Sequence, residues 1–264
     1  MILNLKKERK YMKDNKSFSK DILKNQLELL KLPFCLEHFE DISNQAAKNQ
    51  LSHLDFLAQL IEGETVCKQK RSIERKINQS KFPFIKSLSD YDFTFPKKIN
   101  EAQVKHVFHL DFIRQKANII LIGGVGVGKT HLGIALGYQA CLKEYSVLFA
   151  SAIDIINALS AAKTLNRLKF ELQKYLRVQV LIIDELGYLP IDQLGADLLF
   201  QIFSKRYEKG SIVLTTNKVF KKWPSIFNND STITSAVLDR LLHHAETVII
   251  EGPSYRMKDQ NPEY

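Results

Sequence analysis

Eight consecutive residues have the types and spacing of a phosphate-binding loop. Residues 123–130 read Gly-Gly-Val-Gly-Val-Gly-Lys-Thr and fit the pattern G-x-x-x-x-G-K-[ST]. Glycines let backbone N–H groups converge on phosphate oxygens, while Lys129 reaches the β- and γ-phosphates and the Thr130 hydroxyl holds magnesium. We therefore predict a site for ATP and Mg²⁺. Its cofactor-binding residues are Gly123, Gly124, Val125, Gly126, Val127, Gly128, Lys129, Thr130 and the adjacent His131.

An adjacent pair of carboxylates, Asp184 and Glu185, follows an apolar run. A carboxylate at the carboxyl end of a strand faces the ligand crevice of an open α/β sheet. We expect Asp184 to hold Mg²⁺ through water and Glu185 to act as the general base that polarises the attacking water. The pair predicts ATP hydrolysis, with Lys129 as a further catalytic residue.

Two later residues could take part in the same reaction. Asn217 follows a predicted strand, where its amide could orient water against the γ-phosphate or could simply form a turn. Arg240 lies on a predicted helix, as either a surface residue or an arginine finger that reaches the ATP of a neighbouring subunit. The residue types alone leave both choices open.

Several other reactive residue types favour no site. We interpret His131 as a packing or capping residue rather than a catalytic base. His243 and His244 occupy adjacent positions of a predicted helix and could not both face one metal, so no zinc site is predicted. The three cysteines, at 35, 67 and 141, lack C-x-x-C spacing and are typical of reduced thiols in a cytosolic protein.

Strands and helices must alternate to position these residues. The predicted strands are 118–122, 146–150, 178–183, 211–216 and 247–250. Predicted helices cover 101–116, 131–140, 152–162, 168–177, 194–209 and 235–245, with a short helical segment at Trp223. This alternation predicts an α/β fold, a P-loop NTPase with a parallel five-stranded sheet between helices.

The chain divides into four predicted segments. Residues 1–20 are polar and basic and predict a flexible tail, in which either Met1 or Met12 could be the true start. Residues 21–81 predict a small all-α N-terminal domain for partner or DNA binding, with helices over 21–32, 34–48 and 51–80. Residues 82–100, rich in aromatics, are predicted to be a linker, and residues 101–264 form the ATPase domain.

The charge is unevenly distributed along the 264 residues. The net charge is +9, of which residues 1–116 contribute +7 (22 basic against 15 acidic). This excess suits a polyanion such as nucleic acid. Two basic groups could be solvated faces or could contact DNA. They are Lys68, Lys70, Arg71, Arg75, Lys76, Lys81 and Lys86, and Lys163, Arg167, Lys169, Lys174 and Arg177.

Membrane and secretory classes are not favoured. No run of 18 apolar residues is present, and the N-terminal residues lack an apolar signal segment. We expect a cytoplasmic protein that does not bind membranes.

Taken together, these motifs resemble the IstB/DnaC branch of AAA+ ATPases, and most closely IstB, the ATP-binding helper encoded by certain bacterial insertion sequences. The resemblance extends over nearly everything after residue 20. It rests on 128–132, 182–188, 215–217, 239–245 and 251–258, with 30–33 and 91–93 upstream. One departure is Pro253, where the family motif leads us to expect Glu.

The resemblance implies properties that the residues alone do not. ATP would lie at subunit interfaces of a homo-oligomer assembled on double-stranded DNA, with the paired helices after the second strand facing the DNA. Arg240 becomes the trans-acting finger, and Arg256 a second sensor that touches the γ-phosphate. Such proteins engage target DNA and stimulate a cognate transposase, and ATP hydrolysis resets the assembly.

Two alternatives are weighed against this function. A DnaC-type helicase loader would use the same ATPase with a replicative helicase as partner. A small-molecule phosphate-loop kinase is disfavoured, because the sequence has no substrate pocket or arginine-rich lid and an Asp-Glu pair suits water activation.

Overall fold

The computed structural model describes residues 19–257, in two compact units that divide between Ser72 and Ile73. The predicted tail, and with it the choice between Met1 and Met12, lies outside the described residues except for Ser19 and Lys20. Within 19–257, no helix combines the length and apolar character needed to traverse a bilayer.

The first unit is helical, and its three predicted helices are confirmed. They are α1 (Lys20–Leu29), α2 (Pro33–Lys48) and α3 (His53–Gln79), of which α3 continues into the second unit. A small core forms around Cys35, Phe39 and Leu60. The helix α2 begins at a proline, whose missing N–H and fixed φ suit a first turn.

A buried carboxylate that the sequence did not single out supports this unit. Glu64 is 3% exposed and accepts hydrogen bonds from the N–H groups of Phe34 and Cys35, at 2.9 and 3.2 Å. Arg71 pairs with the same carboxylate at 3.2 Å. Arg71, which belongs to the basic run of the sequence, therefore has a structural partner.

The second unit is built on a parallel five-stranded sheet, and this confirms the predicted fold class. The strands are β1 (Asn118–Gly123), β2 (Val147–Ser151), β3 (Val180–Leu186), β4 (Ser211–Thr216) and β5 (Ala245–Ile250). They lie in the order β2-β3-β4-β1-β5. Because the strands are parallel, the phosphate loop after β1 and the carboxylate pair of β3 both lie at the carboxyl ends of the strands. Only β4 separates β1 from β3.

Helices cover both faces of the sheet. They are α4 (Glu101–Val107), α5 (Asp111–Arg114), α6 (Lys129–Leu142), α7 (Ala152–Thr164), α8 (Leu168–Arg177), α9 (Gln193–Arg206) and α10 (Ser231–Leu242). Successive residues of β1 point to opposite faces. Ile119 and Leu121 join one apolar core, and Ile120 and Ile122 join the other.

The prediction of a single helix over 101–116 was wrong. The segment forms two short helices, α4 and α5, separated by Leu110 in a left-handed conformation (φ 67). The break lets Val104 and Val107 of α4 and Ile113 of α5 bury against the same core. Tertiary packing overrides a helical pattern that continued through the break.

The helix predicted over 235–245 ends earlier, at Leu242. His243 and His244 lie beyond it, and their ring centroids are 4.1 Å apart. The argument that adjacent helical positions keep these rings apart therefore does not hold.

Residues 82–100, predicted to be a linker, pack on the second unit. Tyr91 is buried in its core, and Phe82 and Phe93 lie against that core. Lys98 and Glu251 form an antiparallel bridge with N–H···O distances of 3.0 and 2.9 Å. The two compact units thus divide within α3, earlier than the predicted domain boundary at 81/82.

Candidate nucleotide-binding site

The glycine loop joins β1 to α6 in the geometry that the motif predicts. Gly126 and Gly128 have φ values of +74 and +92. A Cβ on Gly126 would lie 2.0 Å from Ser254 Oγ, and one on Gly128 would lie 2.6 Å from the Tyr91 ring. Both positions therefore require glycine, because neither the backbone angle nor the space admits a side chain. The loop runs directly into the N-terminus of α6, where the first-turn N–H groups lack intrahelical partners and can bind an anion.

Tyr91, which belongs to the predicted linker, contacts the backbone of the glycine loop. Its hydroxyl donates to the carbonyl of Val127 at 3.0 Å, and burial raises the pKa of Tyr91 to about 12. The phenol therefore stays neutral and remains a donor. The His131 ring packs edge-on to Tyr91 with centroids 5.4 Å apart, and His131 Nε2 lies 3.1 Å from Ser87 O.

Lys129 is buried at the mouth of the loop, with 4% of its surface exposed. Its Nζ donates to the Gly124 carbonyl and lies 3.3 Å from the Tyr188 hydroxyl. Burial lowers the pKa of Lys129, while the nearby carboxylates Asp184 and Glu185 oppose that shift. An ammonium with three donors and weak neutral partners is ready to exchange them for phosphate oxygens.

Thr130 and Asp184 fit a magnesium site. The Thr130 hydroxyl donates to both carboxylate oxygens of Asp184 at 3.0 Å, and Asp184 is 5% exposed. Hydroxyl and carboxylate oxygens are the hard donors that Mg²⁺ prefers, and Mg²⁺ usually keeps several waters, through which a carboxylate can hold it. The predicted pair therefore has the chemistry for this ion, with Asp184 acting through water.

A bulge in β3 directs Glu185 into the pocket. The β3–β4 register shifts between Ile183 and Leu186, and Glu185 has φ 60 and is exposed while both neighbours are buried. Bulges recur beside active sites because they re-aim one side chain. Glu185 lines the same pocket as the glycine loop, where a general base for water would have to be.

Thr215, which was not predicted as a site residue, links the Asp184 carboxylate to the backbone of Glu185. Its hydroxyl donates to Asp184 Oδ1 and accepts the N–H of Glu185 at 2.9 Å. The side chain is 1% exposed. Its position could be recognised only from the pairing of β4 with β3, because local sequence does not give strand order.

The remaining wall of the pocket is aromatic and basic. Phe95 and Tyr255 stack edge-to-face with ring centroids 4.8 Å apart, and Arg256 lies beside them. The N–H of Tyr255 donates to Gly126 O at 3.0 Å, so the C-terminal motif touches the loop directly. Flat aromatic surface next to a phosphate cradle suits a purine base.

Asn217 and Arg240 are not among the residues that line this pocket. Asn217 Oδ1 is buried and has no hydrogen-bond partner among the described residues. Arg240 donates to Ala236 O at 2.8 Å and stacks over Phe200 at 5.2 Å. It lines a separate cleft with Asn118 and other residues near the amino ends of the strands. Within one chain, Arg240 and the phosphate loop therefore lie at opposite ends of the sheet.

The basic group on the paired helices α7 and α8 is exposed. Lys163, Arg167, Lys169, Lys174 and Arg177 are all solvent-accessible, and Lys174 forms an ion pair with Glu171. In α3, Lys76 donates to the Glu144 carbonyl. Part of each basic group is thus engaged within the protein, and the rest is free to meet solvent or an anion.

Comparison with known proteins identifies the family. The model of the family described as IstB-like ATP binding protein matches residues 25–262. A Pseudomonas aeruginosa protein, named as an ATP-binding protein of insertion sequence IS21, is 41% identical over 234 residues, which cover 89% of this chain and 88% of that one. A Bacillus thuringiensis protein, named likewise for insertion sequence IS232, is 40% identical over 237 residues, which cover 90% and 94%.

Solved structures share the fold. The DnaC helicase loader is 20% identical with a TM-score of 0.51, covering 62% of this chain and 96% of that one. The replication initiator DnaA, bound to AMPPCP and single-stranded DNA, is 24% identical with a TM-score of 0.52, covering 63% and 50%. These likenesses agree with an AAA+ architecture, and the family match extends over nearly the whole chain. The chain belongs to the family of IstB-like ATP-binding proteins.

Proposed function

We propose that this protein hydrolyses ATP as an oligomer on double-stranded DNA and thereby supports transposition by stimulating a partner transposase. One observation carries the proposal. The pocket contains a phosphate loop, a magnesium pair and a candidate base, while Arg240 lies at the other end of the strands. If Arg240 takes part in the reaction, the site is complete only when a second subunit supplies it.

The residues of the pocket divide the hydrolysis between them. The loop N–H groups and Lys129 hold the phosphates, and Thr130 and Asp184 hold Mg²⁺, which neutralises charge on the phosphate oxygens. Glu185 takes the proton of the attacking water. Its backbone N–H is bound to Thr215, so its position does not depend on substrate.

Two further residues sense the γ-phosphate in this proposal. Arg256 lines the pocket, where a second cation would balance phosphate charge. Asn217 has an unpartnered buried amide oxygen among the described residues, one strand away from the carboxylate pair. A bound water would satisfy that oxygen and be oriented by it.

The family membership and the charge of the chain support DNA and a transposase as the proposed partners. The relatives are named for insertion sequences, whose movement requires a transposase acting on DNA. The exposed cations of α7 and α8 offer a surface for phosphate contacts. Residues 21–81 are our candidate for partner binding, and residues 101–264 for the ATPase domain. The protein would act in the cytoplasm, where its DNA lies.

A helicase loader is the second candidate function, and it uses the same ATPase. The described likeness to the DnaC loader concerns the fold alone. Copurification separates the two functions. Capture of a transposase supports our proposal, and capture of the replicative helicase in its place supports the alternative.

A subunit-mixing experiment tests the shared site. Lys129→Ala and Arg240→Ala should each abolish ATPase activity on DNA. In a random mixture, about one quarter of interfaces pair an intact loop with an intact arginine, so activity should partly return. The matched control mixes Lys129→Ala with Glu185→Gln, because both defects lie on the ATP-bearing side and no interface is restored. Equal inactivity of the two mixtures would rule out a trans role for Arg240.

A further inference from the structure

An exposed cluster at the amino ends of the strands has the composition of a metal site. Glu208, His243 and His244 each offer one ligand atom, and these atoms lie within 4.8 Å of one another. Two imidazoles and a carboxylate suit Zn²⁺ and other first-row divalent ions. We propose that these three side chains bind one divalent transition-metal ion, whose remaining coordination positions are open to water or to a donor from another molecule.

The backbone that carries the ligands is held in place. The N–H of His243 donates to Asp239 O at 3.1 Å, and the carbonyl of His244 accepts the N–H of Asn118 at 2.8 Å. On the other side, the turn with Glu208 is closed by N–H groups of Lys209 and Gly210 that donate to Arg206 O at 2.9 and 3.1 Å. Only side-chain rotation is then needed to close the site.

The required movement is small. Ligands about 2.0–2.1 Å from a tetrahedral ion are about 3.4 Å apart. The present limit of 4.8 Å therefore calls for closure of little more than an ångström, within reach of one exposed rotamer. Since all three side chains are exposed, an ion can enter directly from solvent.

A tyrosine prepares one of the ligands. The Tyr207 hydroxyl and His243 Nδ1 are 2.8 Å apart. When Nδ1–H donates to the phenol oxygen, Nε2 keeps its lone pair for a metal, as in most histidine metal sites. Lys116 and Arg240 line the adjoining cleft and oppose a cation, so binding depends on all three ligands.

Metal titration of the full-length, tag-free protein without nucleotide tests the site. We expect calorimetry with Zn²⁺ and visible absorption with Co²⁺ to give one ion per chain. His244→Ala and Glu208→Gln should each weaken binding by at least about tenfold, and Tyr207→Phe by roughly tenfold. His53→Ala, which removes an exposed histidine of the first unit, is the matched control and should bind as the wild type does.

Three outcomes would overturn the proposal. They are no uptake of either ion, uptake unchanged by His244→Ala, or uptake abolished by a substitution at one of two rival sites. The rival sites are the exposed pair His106 and His109, whose rings are 5.9 Å apart, and the magnesium pair, so His106→Ala and Asp184→Asn complete the set. ATP binding by the His244 and Glu208 variants verifies their folding, and the proposed ATPase function stands or falls independently.

Discussion

Among the described residues of the second unit, two buried cations lie at opposite ends of the strands, and they are held in different ways. Lys129, at the carboxyl ends, is 4% exposed and contacts one carbonyl and one phenol. Arg206, at the amino ends, is 2% exposed and donates to four backbone carbonyls. Those acceptors are Tyr175 O, Val178 O, Gln179 O and Ser211 O, at 2.7 to 3.1 Å.

The different partners indicate that Arg206 supports the fold and that Lys129 is placed to bind a ligand. Burial lowers the pKa of both groups, that of Arg206 to about 10, so the Arg206 guanidinium remains protonated at neutral pH. The four partners of Arg206 belong to the end of α8, the link from α8 to β3 and the start of β4, so its guanidinium joins three segments. The partners of Lys129 are fewer and belong to the pocket itself. We infer that Arg206 supports the fold at the amino ends, whereas Lys129 faces the proposed ATP site at the carboxyl ends.

Removal of Arg206 should have the largest effect. Arg206→Met leaves four buried carbonyls without their donor, and each unsatisfied group costs about 1–3 kcal/mol. We expect the free energy of unfolding to fall by at least about 3 kcal/mol in urea titrations, or the protein to fail to fold. Lys205→Met changes the exposed neighbouring cation and should stay within about 0.5 kcal/mol of the wild type. Equal stability of the two variants would remove the structural role of Arg206.

Removal of Lys129 should reverse the pattern. Lys129→Met abolishes charge-assisted bonds to phosphate worth about 1.5–3 kcal/mol each, so ATP affinity should fall roughly 100-fold. The free energy of unfolding should change by less than about 1 kcal/mol, because a desolvated charge is replaced by an apolar side chain. Titration with a fluorescent ATP analogue and urea unfolding measure the two quantities. Lys143→Met, which changes an exposed residue at the end of α6, is the control. If Lys129→Met were as unstable as Arg206→Met, the two buried cations would not differ in their contribution to stability.

Loss of the Thr215 hydroxyl should have the smallest effect on ATP. Thr215→Val removes the bonds that position Asp184 and Glu185, each worth about 1–1.5 kcal/mol. We expect kcat for hydrolysis to fall about tenfold while KM changes little, because the loop is untouched. Thr215→Ser keeps the hydroxyl and should behave nearly as the wild type does. If kcat survives in the valine variant, the bridge seen between β3 and β4 does not position the base.

The sequence predicted the parts of this site that are contiguous. The glycine loop and the carboxylate pair are short runs whose chemistry is legible without any partner, and the flanking apolar segments fixed their place on strands. The order of strands gave Thr215 its role, and burial in three dimensions gave Arg206 and Tyr91 theirs. These depend on residues distant in the chain. The break at Leu110 was missed for the same reason, since packing decides it.

The roles assigned to individual site residues remain predictions. The structure brings Lys129, Thr130, Asp184, Glu185 and Arg256 to one pocket and places Arg240 in a separate cleft. The sequence could not show this separation, because it depends on the packing of α10 against the sheet.

The left-handed backbone of Glu185 has a consequence for how this chain could change. At φ 60 a side chain with a Cβ costs about 1 kcal/mol relative to glycine. Libraries randomised at position 185 and selected only for thermal tolerance should therefore enrich glycine or asparagine, while selection for the proposed ATPase activity should return glutamate. The two selections would favour different residues at position 185. Sequencing the survivors would show which residue each selection favoured.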